Sequence, residues 1–346
     1  MRPPRIAIYG VGQYGSLITR LAVAKGWPVV AAFNRAGPKV GQDLGRVAGL
    51  DRDLGVVIQD SQTGDYASID ADIGVVTHLD LLSLNMDAYR RFMGAGLNIA
   101  CHGGQSYLPQ TNDPDLAAEI EALAVANGVT FTGGGIWDMS RIWAGVLTAG
   151  PCTEITSLHH SSLTDPEGQL LTLTRGSAFN RTPETFYERG LDRSPVLLAH
   201  KAIPELVLGK LGYTVAESRA TAEPIVYDEP VETRLVPEGR FEAGVCVGVR
   251  TRLEAATEEG VVATALIEQR MFLPGDVEHM TWEVQGTPRN RVRVERLDSA
   301  QATAGNLFNR IPDIIAAPPG IVPVTDLGPL RPSAGSSPGG SPGSAT

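Results

Sequence analysis

Three histidines in this sequence are candidates to donate or accept a proton in a catalysed reaction. His102 follows the short apolar run Leu97–Cys101, and His159 and His160 form a doublet in EITSLHHSSL. An imidazole, with an unperturbed pKa of about 6.5, accepts and releases a proton at neutral pH. The pattern indicates general acid or base catalysis by one of them or, as an open alternative, ordinary polar residues of a strand and a turn. On a strand the two rings of the doublet point to opposite faces, so at most one faces a substrate.

A second group of residues has the spacing of a dinucleotide-binding loop. The segment IAIYGVGQYGSLITRLA places Gly10, Gly12 and Gly15 in GxGxxG order, after an apolar run and at the start of a helical pattern. The first glycine permits a tight turn, the second lets a pyrophosphate approach the backbone, and the third lets helix and strand pack closely. Free N–H groups at the helix N-terminus attract the anion. We expect Gln13 and Tyr14 to belong to this cofactor site.

The end of the next apolar run, AAFNRAGPKVG, bears on which cofactor binds. A carboxylate that holds the ribose hydroxyls of NAD is expected near this point, but the sequence has Asn34 and Arg35. A guanidinium suits a 2′-phosphate, so the sequence favours NADP(H), with NAD(H) possible and a merely solvated arginine as the alternative. His78, in VVTHLD, is expected to border the nicotinamide.

A parallel sheet is needed to bring these residues together. Within the first 135 residues, short apolar runs alternate with longer amphipathic ones, as do the strands and crossover helices of an α/β fold. The predicted strands are Arg5–Tyr9, Pro28–Phe33, Gly55–Ile58, Asp72–Thr77, Leu97–Cys101 and Val129–Thr132. The carboxyl ends of such strands are where α/β folds bind ligands, so the cofactor loop and His102 are expected to meet there.

The second half of the chain has a different pattern. After Gly150, β-branched residues alternate with polar ones, and TEEG and QGTPRN lie where hairpin turns are expected. We predict a Rossmann domain over 1–137, an α+β substrate and dimerisation domain with a mostly antiparallel open sheet over 138–302, and a C-terminal segment over 303–331 that packs back on the first domain. A helical insertion is expected near Ser194–Leu211, a helix over Thr303–Ile315, and a disordered tail over 332–346.

Composition limits the classes of partner. The chain has 346 residues, 42% of them hydrophobic and 20% charged, with a formal net charge of -10. This argues against nucleic acid or an anionic membrane as partners and favours a small-molecule substrate. Three cysteines at irregular spacing, no apolar run of membrane-spanning length and no signal-peptide pattern favour a cytoplasmic protein. We see no metal-ligand spacing.

Several segments together resemble a known group of enzymes. They are GVGQYGS followed by KVGQDLGRVAGL, GLNIACHGGQSYLP, ANGVTFTGGGIWD and NRIPDIIAAPPGIVPVTDL. They are similar to the group that includes dihydrodipicolinate reductase, 2,4-diaminopentanoate dehydrogenase and the native amine dehydrogenases, from about residue 5 to about residue 328. The resemblance implies a Rossmann domain, a homodimer formed through the open sheet of the second domain, and hydride transfer between a nicotinamide and a carbon bearing nitrogen, as in imine reduction.

One departure from this group concerns the proton donor. In the amine dehydrogenases a pair of glutamates follows the strand that matches Leu97–Cys101, and here the pair falls on Gly104 and Gln105. Neither residue can take a proton, so general acid or base work must come from elsewhere. The histidine doublet resembles that of dihydrodipicolinate reductase, although Leu163 stands where that enzyme has a lysine.

The remaining predictions concern the substrate. We expect Gln105 and Tyr107 to position it, and Trp137, Trp143 and Tyr107 either to wall a hydrophobic pocket or to be plain core. The absent glutamate leaves a ketone or alcohol oxidoreductase as an alternative function. A protein that binds NADP(H) without catalysis is a second alternative.

Overall fold

The structure is a computed structural model that describes residues 2–78, 80–168 and 177–332. The tail predicted to be disordered lies outside the described residues from residue 333 onward. The strands are β1 Ile6–Tyr9, β2 Val29–Asn34, β3 Ile58–Asp60, β4 Ile73–Val76, β5 Asn98–His102, β6 Thr130–Gly134, β7 Glu154–Thr164, β8 Val215–Val226, β9 Val231–Glu232, β10 Arg240–Phe241, β11 Cys246–Thr257, β12 Val262–Arg270, β13 His279–Thr287, β14 Asn290–Glu295 and β15 Gly320–Ile321. The helices are α1 Gln13–Lys25, α2 Leu44–Val47, α3 Leu82–Gly94, α4 Pro109–Asn112, α5 Pro114–Ala126, α6 Ala144–Ala149, α7 Pro183–Glu188, α8 Pro195–Leu198, α9 Ala202–Lys210 and α10 Ser299–Ala316.

The first sheet is a seven-stranded parallel sheet in the order β15-β6-β5-β4-β1-β2-β3. The prediction of a parallel, Rossmann-like sheet is confirmed, and β15 joins it from the C-terminal segment. The third strand starts later than predicted, at Ile58 instead of Gly55. The reason is the Asp43 carboxylate, which accepts hydrogen bonds from the N–H groups of Leu54 and Gly55 and so holds this stretch outside the sheet.

The second sheet has six strands in the order β14-β13-β7-β12-β11-β8. The two predicted hairpins are present, since β11 pairs with β12 and β13 with β14, both antiparallel. The expectation of a mostly antiparallel sheet needs correction, because the sheet is mixed: β7 and β12 run parallel at its centre. β7 is the first strand of this sheet in the chain. The helical insertion, β8 and β11 follow it before the chain returns to pair with β7, and the returning strand, β12, runs in the same direction as β7.

The C-terminal helix α10 joins the two halves. It packs on α1, β5 and β6, and its buried Phe308 stacks on Trp27 with 4.5 Å between ring centroids. Its Arg310 donates from Nε and Nη2 to the two carboxylate oxygens of Asp138, at 2.6 and 2.8 Å, and both side chains are fully buried. Asp138 begins a π-helical turn, Asp138–Trp143, which follows β6. Within the described residues, no helix combines the length and the apolar character that crossing a bilayer requires.

Candidate active site at the carboxyl edge of the parallel sheet

The glycine loop has the geometry of a phosphate cradle. Gly10 has a φ of +96° and its carbonyl accepts a hydrogen bond from the Thr77 hydroxyl at 2.7 Å. A Cβ on Gly15 would lie 2.2 Å from the Gly10 carbonyl oxygen, so helix α1 approaches the loop too closely for any side chain there. A Cβ on Gly12 would meet nothing within 4 Å, which leaves its backbone open to an incoming group. The loop therefore fits a dinucleotide pyrophosphate at the start of α1, where Gln13 and Tyr14 lie half-buried.

A pocket of about 500 Å³ extends from this loop to the end of β2. Asn34 shapes it, because its Oδ1 accepts a hydrogen bond from the Val11 N–H at 3.0 Å. Arg35 is exposed at the rim, and Lys39, which the sequence interpretation missed, donates from Nζ to the Val11 carbonyl at 2.5 Å. The pocket thus carries two cations at the end of β2, the place where a 2′-phosphate would lie. The signal for Lys39 in the sequence was the PKVG segment, which places this lysine five residues after Asn34.

His78 borders the opposite wall of the same pocket. Its ring makes an edge contact with Tyr9, with 5.8 Å between centroids. Burial lowers the pKa of His78, and the positive charge of Arg35 lowers it further, which keeps the ring neutral at pH 7. The structure therefore places His78 beside the loop, where the sequence predicted a neighbour of the cofactor.

His102 ends β5, two strands away from the glycine loop. Its ring packs on that of Tyr14, with 4.3 Å between centroids. Burial lowers the pKa of His102, while the negative charge of Asp80 raises it. Asp80 lies in the loop after β4 and accepts a hydrogen bond from the Gly104 N–H at 3.3 Å. Asp80 was missed from the sequence, although a carboxylate just beyond the end of a parallel strand is the signal that indicates such a residue.

The turn after β5 holds its side chains tightly. A Cβ on Gly104 would lie 2.9 Å from the Trp137 indole, so this tryptophan occupies the space that a longer side chain would need. Gln105 is buried, and its Oε1 accepts a hydrogen bond from the Leu82 N–H at 2.9 Å at the start of α3. That oxygen therefore caps the N-terminus of α3 and is not free to bind a substrate, the role that the sequence had predicted for Gln105.

Tyr107 and Trp137 form a stacked pair beneath this turn, with 5.0 Å between ring centroids. The Tyr107 hydroxyl accepts a hydrogen bond from the Trp137 N–H at 3.1 Å, and burial raises the pKa of this hydroxyl well above its usual value. The other face of Trp137 lies against His200, with 4.6 Å between centroids. Trp143 belongs to the core, where its Nε1 donates to the Val324 carbonyl.

The histidine doublet on β7 is split between the two faces of the second sheet. His159 is on the outer face, where its ring nitrogens lie 3.1 Å from the Ser157 hydroxyl and 2.8 Å from the Thr264 hydroxyl. His160 is 3% exposed on the inner face and packs on Trp282. His160 thus faces the π-helical turn. His159 lies away from the other predicted site residues, so we leave it out of the proposed site.

Sequence reasoning also missed a buried polar cluster beside His160. Arg141 of the π-helical turn is buried, and burial together with the positive charge of Arg296, in the segment after β14, lowers the pKa of Arg141 to about 9. Glu278 forms an ion pair with Arg296 and accepts a hydrogen bond from Ser299. The available signal was an arginine inside the apolar segment IWDMSRIWAG, since an arginine is almost never fully buried without a partner.

Comparison with known proteins supports the fold and its class. No family model and no curated protein matches the chain. Among solved structures, it is similar to an amine dehydrogenase from Mycobacterium smegmatis, with 27% identity, a TM-score of 0.84, and coverage of 95% of this chain and 97% of that one. A probable dehydrogenase from Thermotoga maritima matches with 11% identity and a TM-score of 0.60 over 93% of this chain and 92% of that one.

A third similar structure is a biliverdin reductase from a Synechocystis species, solved with biliverdin and NADP⁺. It matches with 11% identity and a TM-score of 0.58, over 94% of this chain and 95% of that one. The chain therefore has a two-sheet fold shared with two dehydrogenases and with a reductase that was solved with NADP⁺. The likeness to dihydrodipicolinate reductase and 2,4-diaminopentanoate dehydrogenase stays a prediction, as does the homodimer.

Proposed function

We propose that this protein is an NAD(P)H-dependent oxidoreductase that reduces a carbon–nitrogen or carbon–oxygen double bond in a small molecule. The observation that carries the proposal is the juxtaposition of two features at one sheet edge. The first is the glycine loop, whose open Gly12 backbone and close-packed Gly15 fit a dinucleotide. The second is His102, whose ring packs on Tyr14 of the helix that this loop opens. The similarity to an amine dehydrogenase over nearly the whole chain supports the same reading.

The glycine loop and His102 have different roles in the proposed reaction. Gly10, Gly12 and Gly15 would hold the pyrophosphate of the cofactor, whose reduced nicotinamide would supply a hydride for the substrate carbon. In its protonated form His102 supplies the proton that the substrate nitrogen or oxygen takes up. Burial lowers the pKa of His102, and the Asp80 carboxylate opposes that shift. Tyr14 orients the His102 ring by stacking, and its hydroxyl interacts with Thr303 on α10.

The two candidate reactions differ in their requirement for ammonia. The Trp137 indole lies where a side chain at position 104 would be, and Gln105 gives its Oε1 to the Leu82 N–H. Neither position offers a carboxylate to bind ammonia, which favours reduction of a preformed imine or of a ketone. A panel of ketones, aldehydes and cyclic imines with NADPH, each with and without ammonia, tests this. Turnover that requires ammonia would contradict it, and tight NADPH binding without any turnover would leave only the non-catalytic alternative.

Cofactor preference gives a separate prediction. Replacing Arg35 with serine is expected to weaken NADPH binding about tenfold or more and to leave NADH binding nearly unchanged, because only NADPH has the 2′-phosphate that a guanidinium would hold. Fluorescence titration of both reduced cofactors measures the two dissociation constants. Arg46→Ser is the matched control, since Arg46 is also exposed but is ion-paired with Asp53 outside the pocket. Equal losses for the two cofactors, or a wild-type preference for NADH, would refute the role of Arg35.

A further inference from the structure

One face of helix α10 carries polar side chains in a single stripe. Positions three and four residues apart lie on the same side of a helix, and four polar residues of α10 follow this spacing. They are Ser299, Thr303, Asn306 and Arg310. Three of the four are buried, and a buried polar group is favourable only when it has a hydrogen-bond partner. The partners of this stripe therefore indicate what the helix holds in place.

The second half of the stripe holds the start of the π-helical turn. Asn306 donates from Nδ2 to the Gly135 carbonyl at 2.9 Å, and Arg310 forms the buried ion pair with Asp138. These contacts fix α10 against the segment that follows β6. The first half of the stripe, in the N-terminal turn of the helix, reaches two other parts of the molecule.

The N-terminal turn of α10 is anchored from the second sheet. Asp298, at the N-cap position, makes no capping hydrogen bond through its side chain to the described residues. The Ser299 hydroxyl donates instead to the carboxylate of Glu278, just before β13. Arg296 pairs with the same carboxylate, and its backbone N–H donates to the Glu278 carbonyl at 3.0 Å. A carboxylate beside a helix N-terminus also complements the helix dipole. Glu278 therefore fixes the position at which α10 begins.

Thr303, one turn further along α10, contacts the tyrosine of the glycine loop. Its hydroxyl donates to the Ser299 carbonyl at 2.8 Å, which leaves its oxygen as an acceptor for the Tyr14 hydroxyl. Burial raises the pKa of Tyr14, and the Thr303 hydroxyl opposes that shift as a hydrogen-bonding neighbour. The hydroxyl end of the Tyr14 side chain is thus held by the first turns of α10.

The ring of Tyr14 in turn packs on the proposed proton donor. Its centroid lies 4.3 Å from that of His102, with 31° between the ring planes. Thr303 also lies close to His102, because both border the same small space at Gly135. A Cβ on that glycine would lie 3.5 Å from the Thr303 methyl group and 3.9 Å from His102 Cδ2. A change in the position of Thr303 would therefore move the surface against which His102 packs.

We propose that Ser299 and Thr303 are positioning residues of the proposed reaction. Glu278 fixes the first turn of α10 through Ser299, and Thr303 then fixes the Tyr14 ring, which aligns His102 with the substrate. A small misplacement of a reacting group costs much of its catalytic effect, so this alignment affects the rate. The inference rests on the proposed function, because it concerns catalysis only if His102 donates the proton. It gives the buried carboxylate of the second sheet a role in positioning a side chain of the first.

Thr303→Val removes the hydroxyl and keeps the shape of the side chain. We expect it to lower kcat about threefold to tenfold on the best substrate of the panel, as the loss of one hydrogen bond would. KM and the dissociation constant of NADPH should stay within about twofold of wild type. Thr303→Ser, which keeps the hydroxyl, should restore kcat. Thr148→Val is the matched control and should leave kcat unchanged, because the Thr148 hydroxyl also donates to the carbonyl four residues earlier, but on α6, which packs on β13 and β14.

Tyr14→Phe tests whether the two hydroxyls act as a pair. It should lower kcat by a factor similar to that of Thr303→Val, and the double variant should lose no more than either single variant. In a His102→Ala background, Thr303→Val should have no further effect, because it acts through the His102 ring. Additive losses in the double variant, or an equal loss without His102, would overturn the assignment.

A measurement without turnover separates this inference from the proposed function. NMR of the whole protein with ¹⁵N-labelled histidine reports the His102 ring, whose signals are identified by their absence in His102→Ala. The ring current of Tyr14, 4.3 Å away, shifts these signals. Ser299→Ala and Thr303→Val should both move them, and Thr148→Val should not. Unchanged signals in both variants would overturn the inference. Absence of NADPH binding and of all turnover in wild type would instead refute the proposed function, and the NMR signals would still decide whether α10 positions His102.

Discussion

Replacing His102 with alanine is expected to lower kcat by about 100- to 10,000-fold, the usual contribution of a positioned general acid. NADPH binding should change little, because the glycine loop and its hydrogen bonds do not involve this ring. Stopped-flow and steady-state kinetics on the best substrate of the panel, with a parallel cofactor titration, separate the two effects. His159→Ala is the matched control: a histidine on the outer face of the second sheet should leave kcat within about twofold of wild type.

Asp80→Asn tests the same assignment through pH. The Asp80 carboxylate raises the pKa of His102, so its removal lowers that pKa. If the protonated ring is the donor, activity falls as the pH rises through the pKa of His102, and in the variant this fall should occur at lower pH. The pH profile of kcat measures the shift, with Asp115→Asn, an exposed residue of α5, as control. Unchanged profiles in Asp80→Asn together with full activity of His102→Ala would remove histidine from the mechanism.

The glycine loop could be predicted from the sequence because its determinants are local. Gly10, Gly12 and Gly15 lie within six residues, and the strand before them and the helix after them are adjacent in the chain. The steric reasons for these glycines are the ones that the spacing implies: Gly10 has a positive φ, and a Cβ on Gly15 would lie 2.2 Å from the Gly10 carbonyl oxygen. The alternation rule likewise placed His159 and His160 on opposite faces of β7.

The buried polar cluster beside His160 could not be predicted because its members meet only through tertiary packing. More than a hundred residues of chain separate Arg141 from Glu278 and Arg296. Nothing in the sequence indicates that these three residues meet. The π-helical turn that carries Arg141 also has no periodicity from which it could be predicted. The role of Gln105 was mispredicted for a different reason. A polar residue on a turn is expected to be free to bind a substrate, but the Gln105 Oε1 accepts a hydrogen bond from a backbone N–H at the start of a neighbouring helix.

The centre of the second sheet was misjudged for a related reason. Each hairpin is a local event, and both were located correctly from turn residues. The pairing of β7 with β12 joins strands about a hundred residues apart, and local turn signals do not give its direction. That parallel pair carries His160 on β7, so it determines which histidine of the doublet lies next to Arg141.

Arg310→Met is expected to destabilise the protein by about 3–5 kcal/mol, the usual cost of leaving one charge of a buried pair without its partner. The Arg310 guanidinium makes two hydrogen bonds to Asp138, at 2.6 and 2.8 Å, and both side chains are fully excluded from solvent. Without it, the Asp138 carboxylate would be buried at the start of the π-helical turn with no cation to balance it. Urea unfolding followed by circular dichroism, with the slope compared between variants, measures the change.

The double variant Asp138→Leu/Arg310→Met separates the loss of a charge partner from the loss of packing. Because it leaves no fully buried charge without a partner, and only the partly exposed Asp313 loses its contact with Arg310, it should recover most of the stability that the single variant loses. If the two variants are equally unstable, packing of α10 against the turn, rather than the ion pair, holds the two sheets together.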